Sequence, residues 1–115
     1  MPPFELRNHT PHSVTVVLVD GRRVDIPATD PPARCEVDRA TSGTLETTVG
    51  VVPLNVTRRR QRVVDLPPRT PGVLLIVASA VAAACPERDD LVFPDEQARD
   101  EAGLVIECHA LGRPG

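Results

Sequence analysis

One apolar stretch, Val73 to Cys85, constrains this chain more than any other feature, because Pro71-Gly72 precedes it and Pro86 ends it. Proline fixes φ and removes a backbone donor, so neither a helix nor a central strand continues through those points. The stretch falls short of the roughly 20 apolar residues a membrane span requires. Its first half, Gly72-Val73-Leu74-Leu75-Ile76-Val77, is apolar throughout and reads as a buried strand. The second half, Ala78 to Cys85, is alanine-rich, favours helix, and is halted by Pro86. Ser79 stands where an N-cap would stand. A strand feeding one short buried helix is therefore expected at the centre of the fold.

Elsewhere the pattern is β. Ser13 to Val19 is dense in β-branched side chains, Asp20-Gly21 follows, and Arg22 to Ile26 answers it, which is a hairpin signal. After a proline loop at 27–32, Arg34 to Ala40 reads as a strand, Thr41-Ser42-Gly43 as a turn, and 44–49 with 51–58 as a second hairpin about Gly50. Pro53 places the latter strand at an edge. Arg62 to Leu66 is short and strand-like, Leu91 to Phe93 is a brief extended piece, Pro94 to Ala102 is a polar connection, and Leu104 to Ala110 is a last strand. The expected class is α+β, mostly β: about seven short, largely antiparallel strands with one short buried helix. At 115 residues the chain is a single domain spanning 1–115, with a frayed tail at 112–115.

Composition excludes several functions. Aromatics are 2% of the chain, Phe4 and Phe93 alone, so base stacking has almost nothing to work with. Net charge is -3, which gives no general attraction to nucleic acid. The charge is uneven: residues 1–69 hold 10 Arg against 8 Asp and Glu, and residues 70–115 hold 3 Arg against 8. All 13 basic residues are Arg, a bias that fits a G+C-rich bacterial or phage genome. Three cysteines at wide spacing, Cys35, Cys85 and Cys108, describe neither a disulfide scaffold nor a zinc ribbon. With no leader-like segment in the polar first twelve residues, reduced thiols and a cytoplasmic location are expected.

Three segments resemble a family of small uncharacterised proteins from actinobacteria, firmicutes and their phages. They are Asn8-His9-Thr10-Pro11-His12 before the Val-rich strand, the run from Gly72 through Pro86-Glu87-Arg88-Asp89-Asp90-Leu91 to Pro94, and Arg99-Asp100-Glu101-x-Gly103-x-x-Ile106 followed by Cys108. The resemblance covers nearly the whole chain in order and implies a phage or prophage context, with no assigned activity. The family tends to carry Tyr where Leu75 stands and Ser where Ala78 stands.

Several residues are candidates for chemistry. Asn8, Thr10 and His12 alternate on entering a strand and would share one face, with His12 as donor or base. Asn and Thr also bond local backbone in turns. Arg88-Asp89-Asp90 and Arg99-Asp100 could grip an anion or work as an acid-base pair, or their opposite charges could pair with each other. Arg58-Arg59-Arg60-Gln61-Arg62 is either a phosphate patch or a solvated hairpin end. His9, His12, Cys108 and His109 lack the tight spacing of a structural zinc site. Each cysteine lies in an apolar or strand-like context, which suits core packing better than nucleophilic chemistry.

The expected function is a non-enzymatic binding domain whose site is formed by Asn8, Thr10, His12, Arg88, Asp89, Asp90 and Arg99. A small polar or anionic ligand, a protein surface and a second copy of the chain are the partners left open; membrane and nucleic acid are disfavoured, and no cofactor or metal is expected. A sharper form is phage counter-defence, sequestering a nucleotide-like signal. The alternatives are a small hydrolase using His12 or the Asp89/Asp90 cluster, and a structural or assembly protein.

Overall fold

The computed structural model describes residues 3–29 and 31–114, leaving aside the side chains of 37–39 and 57–61. Its elements in chain order are β1 (Glu5–Asn8), β2 (Val14–Val17), β3 (Arg23–Ile26), β4 (Arg34–Thr47), β5 (Gly50–Val64), β6 (Val73–Ile76), α1 (Ser79–Ala84), β7 (Leu91–Arg99) and β8 (Val105–Gly112). Six strands form one sheet in the order β1-β6-β7-β8-β2-β3, and β4 and β5 form a separate two-stranded ribbon. The fold is mostly β with one short helix, as the residue pattern indicates. No helix among the described residues is long and apolar enough to cross a membrane.

The apolar stretch builds the centre. Val73, Leu75 and Val77 pack with Val81 and Ala82 of the helix, with Cys85 at its C-terminal cap and with Leu91. Ile76 points the opposite way and is also fully buried. A strand buried on both faces is what an unbroken apolar run encodes, and each such side chain contributes about 1.5–3 kcal/mol of burial. The helix lets β6 and β7 run parallel, since a parallel pair needs a crossover and not a tight turn. α1 spans six residues and its N-cap is Ala78, with no side-chain capping bond. Ser79 is instead the first helical residue and is exposed. The chain stays extended through Val77, whose N–H donates to the Val92 carbonyl, so the turn into helix falls at Ala78.

The longer ladders are antiparallel, but three pairings, β1 with β6, β6 with β7 and β2 with β8, are parallel. β1 was not expected from its polar sequence within a proline-bearing segment; it forms because Glu5 to Asn8 pairs residue for residue with Val73 to Ile76. Beyond β3, Ala28 bridges back to Asn8, and the Thr29 N–H donates to the Asn8 carbonyl at 2.7 Å. The two edges of the sheet are thus tied and the sheet curls on itself. The Asp20-Gly21 hairpin is present, with Gly21 at φ +89 and the Arg22 N–H received by the Asp20 carboxylate.

Three expected breaks are absent. Thr41-Ser42-Gly43 does not turn the chain, because Gly43 at φ +103 sits in a register shift within continuous β4. A bulge absorbs an extra residue and a positive φ without reversing direction. The segments 51–58 and 62–66 likewise belong largely to one strand, β5, and β7 continues through Pro94 to Arg99. β8 extends to Gly112, opposite Phe93, where any Cβ would come within 2.6 Å of the Phe93 ring. Tail position 115 lies outside the described residues, as do the side chains of the basic run at 58–61.

Candidate functional site

Asn8 closes the curl and is fully buried. Its Nδ2 donates to the His12 carbonyl at 2.8 Å and to the Ile26 carbonyl at 2.9 Å. Its Oδ1 accepts the Thr10 N–H at 2.9 Å and the Thr10 hydroxyl at 2.6 Å. Both donors and both acceptor positions of the amide are therefore used. The Thr10 hydroxyl also lies 2.8 Å from the His12 carbonyl, a second acceptor for its one proton. This knot fixes the 9–12 turn against β3 and leaves Asn8 nothing to offer a ligand. His9 is buried as well, and its Nδ1 has no hydrogen-bond partner among the described residues.

The knot presents one wall of a cleft of about 700 Å³. Residues 10–15 form that wall, Ala78 and Ser79 close the end of β6, and Pro94 and Gln97 of β7 with 104–108 form the opposite side. Thr10 and His12 are thus brought together at the carboxyl ends of parallel strands β1 and β6. The volume falls in the range of small-molecule sites. Val14, Pro94 and Ile106 give the cleft apolar surface, while His12, Ser79, Gln97 and Glu107 give it directional groups.

Glu107 is the one carboxylate in that lining and is buried. Arg23 donates to its Oε1 at 2.8 Å, and His109 Nε2 lies 3.3 Å from its Oε2. A shallow depression formed by Thr15, Arg23, Asp25, Ile106 and Glu107 adjoins the cleft through the residues they share. Gln97 and Glu107 were missed in the sequence. Glu107 carried a usable signal, a charged residue inside an otherwise apolar strand; Gln97 carried none, because 94–102 looked like a loop.

Arg88, Asp89 and Asp90 do not join this cleft. They precede β7, where the Asp90 carbonyl receives the Leu75 N–H, and none of the three lines the cleft. Arg88 Nε and Nη2 donate to the two oxygens of Asp90 at 2.8 Å each, and Nη2 also reaches the Pro67 carbonyl. Arg88 is 19% exposed and Asp90 4%. The Arg88 hydrogen bonds hold the Asp90 carboxyl below its ordinary range, against the upward push of burial. Asp89 pairs with Arg69 at the surface. Arg99 donates to the Gly103 carbonyl and closes the β7–β8 turn, whose N–H groups at Ala102 and Leu104 are received by Asp100. The expected pairing of Asn8 with Arg88 around one ligand is therefore not the arrangement found within one chain.

The cysteines are free thiols; Cys85 and Cys108 are buried and Cys35 is half-buried. Burial pushes the Cys85 and Cys108 thiols above their ordinary values, which suppresses thiolate chemistry. Among the described residues no group of three or more His, Cys, Asp and Glu side chains is placed to hold a metal ion. No protein-family model matches the chain, and neither a curated protein nor a solved structure is significantly similar to it.

Proposed function

We propose that the chain is a non-catalytic binding protein for a small polar ligand seated in the cleft between the 10–15 segment and β8. The observation that carries this reading is the cleft's position and lining. A saturated hydrogen-bond knot holds one wall rigid, and four directional side chains face apolar surface across a volume suited to a small molecule. Rigid elements make selective sites.

The lining also bears on ligand chemistry. It contains no guanidinium, and its carboxylate is already engaged by Arg23. A nucleotide-like ligand would set its base and sugar in the cleft, with its phosphate over the adjoining depression. There Arg23 keeps donors beyond the one spent on Glu107, and these must outweigh the Asp25 and Glu107 carboxylates of the same depression. That placement suits sequestration of a nucleotide-like signal, in a phage counter-defence role. Thermal-shift screening against nucleosides, nucleotides, cyclic nucleotides and ADP-ribose derivatives tests it. A stabilising compound is expected, with its effect lost in Gln97→Ala and His12→Ala and, for phosphorylated compounds only, weakened in Arg23→Ala. Stabilisation that survives both cleft variants, or none from any compound class, contradicts the reading.

A further inference from the structure

The β4–β5 ribbon projects from the body, and the molecule measures 59 × 36 × 27 Å with a radius of gyration of 17.9 Å. A compact domain of this length has a radius near 13 Å. Only the root of the ribbon joins the core, where Cys35 and Val63 pack beside Ala33 and Leu66. Beyond that root the ribbon has two unlike faces. Leu45, Val52, Leu54 and Val56 share one, since Leu45 sits opposite Val52 and the β5 positions alternate. All four are exposed. Glu46, Thr44, Thr41 and Asn55 fall on the other face, where Val51 and Pro53 stand opposite Glu46 and Thr44. A two-stranded ribbon is at best marginally stable alone in water, and an apolar face of this kind calls for a cover.

The body carries a surface of matching character. Leu104 and Ile106 are exposed beside the β7–β8 turn, at 65% and 50%. Asp100 and Glu101 stand in the turn beside them, and Asp95 lies further along β7, opposite Ala110. The ribbon's order is the complement: apolar positions 52, 54 and 56, then Arg58, Arg59, Arg60 and Arg62 on the same strand. Residues 34–64 hold six Arg against three carboxylates, whereas the rest of the chain holds seven Arg against thirteen. Opposite net charges steer and register two surfaces, and like charges would disfavour ribbon-to-ribbon contact.

We propose that the β4–β5 ribbon is an assembly arm that seats its apolar face on the Leu104–Ile106 strip of a second copy of this chain, the ribbon's net positive charge steering it toward that copy's acidic body. The seat shares Leu104 and Ile106 with the cleft wall, so a docked arm and a cleft ligand compete for that surface, and assembly is measured on the ligand-free chain. Analytical ultracentrifugation of the full chain tests it by mass. The wild type is expected to assemble, less strongly as salt rises. Leu54→Asp, which disables the arm, and Leu104→Asp, which disables the seat, are each expected to weaken assembly tenfold or more. Mixed together they restore one intact arm and one intact seat, so a heterodimer is expected. Both positions are exposed, and circular dichroism confirms that each variant folds. A wild type that stays monomeric at concentrations on the order of 100 µM overturns the proposal, whether or not the arm then takes up nucleic acid or vesicles. Assembly untouched by Leu104→Asp also overturns it, because it points to arm-on-arm contact.

Discussion

β6 and the outer half of β5 are written in the same residues. Val73 to Ile76 and Val51 to Val56 are both dominated by Val, Leu and Ile, and both adopt strand. Yet Val73, Leu75, Ile76 and Val77 are buried, while Val51, Val52, Leu54 and Val56 are exposed. The difference lies in the neighbours. β6 has a parallel partner on each side and the helix across one face. The ribbon has only its own second strand. β-propensity thus sets the local conformation in both places, and tertiary partners alone decide whether the conformation is backed by burial.

The largest effects separate the two regions directly. Ile76→Ala removes a fully buried side chain flanked in register by Asn8 and Val92, and is expected to cost about 2–5 kcal/mol in urea unfolding. In the same assay Val52→Ala, under dilute conditions where chains do not assemble, is expected to stay within about 0.5 kcal/mol of wild type. Equal costs would mean that the ribbon's apolar face is packed within one chain.

How far the sequence revealed this follows from the range of the forces involved. The β6–α1 unit and the Asp20-Gly21 hairpin were legible because period, proline and turn chemistry are local. β1 was not, since Glu5 to Asn8 becomes a strand only through β6, some seventy positions away in the chain. The 14-residue β4 was divided at Gly43 because a bulge glycine and a turn glycine look alike in sequence. In the site, the Asn8-Thr10-His12 grouping was visible through its alternation. Its role was only half visible, since the amide of Asn8 is consumed by the Ile26 carbonyl from another strand. The Arg88-Asp89-Asp90 cluster stood out equally well, and here the structural alternative describes what the side chains do.

A middle-sized effect sharpens the picture within the body. Arg88→Ala strands Asp90 as a buried unpaired carboxylate and is expected to cost about 2–4 kcal/mol, slightly under a fully buried pair because Arg88 is partly exposed. Asp89→Ala breaks a surface pair with Arg69 and is expected to cost under about 1 kcal/mol. The pH dependence has a definite sign. Asp90 titrates lower in the folded chain than in the unfolded one, so the unfolded state takes up protons first as pH drops. The pair's contribution is full above the ordinary carboxylate range near pH 4 and is lost as pH falls through the lowered folded value. Asp90→Asn should therefore flatten the acid limb of the stability profile, and an unchanged limb would place the acid sensitivity elsewhere.

Native-state hydrogen exchange on the Leu104→Asp chain reads body and ribbon in one experiment, because that variant keeps its arm and lacks the proposed seat. Amides of β1, β6 and β7 are expected to exchange only with global unfolding, whereas those of residues 44–56 exchange through local opening and far faster. Protection of residues 44–56 equal to that of Leu75 and Val77 would contradict the account, since it would make the ribbon part of a single cooperative core.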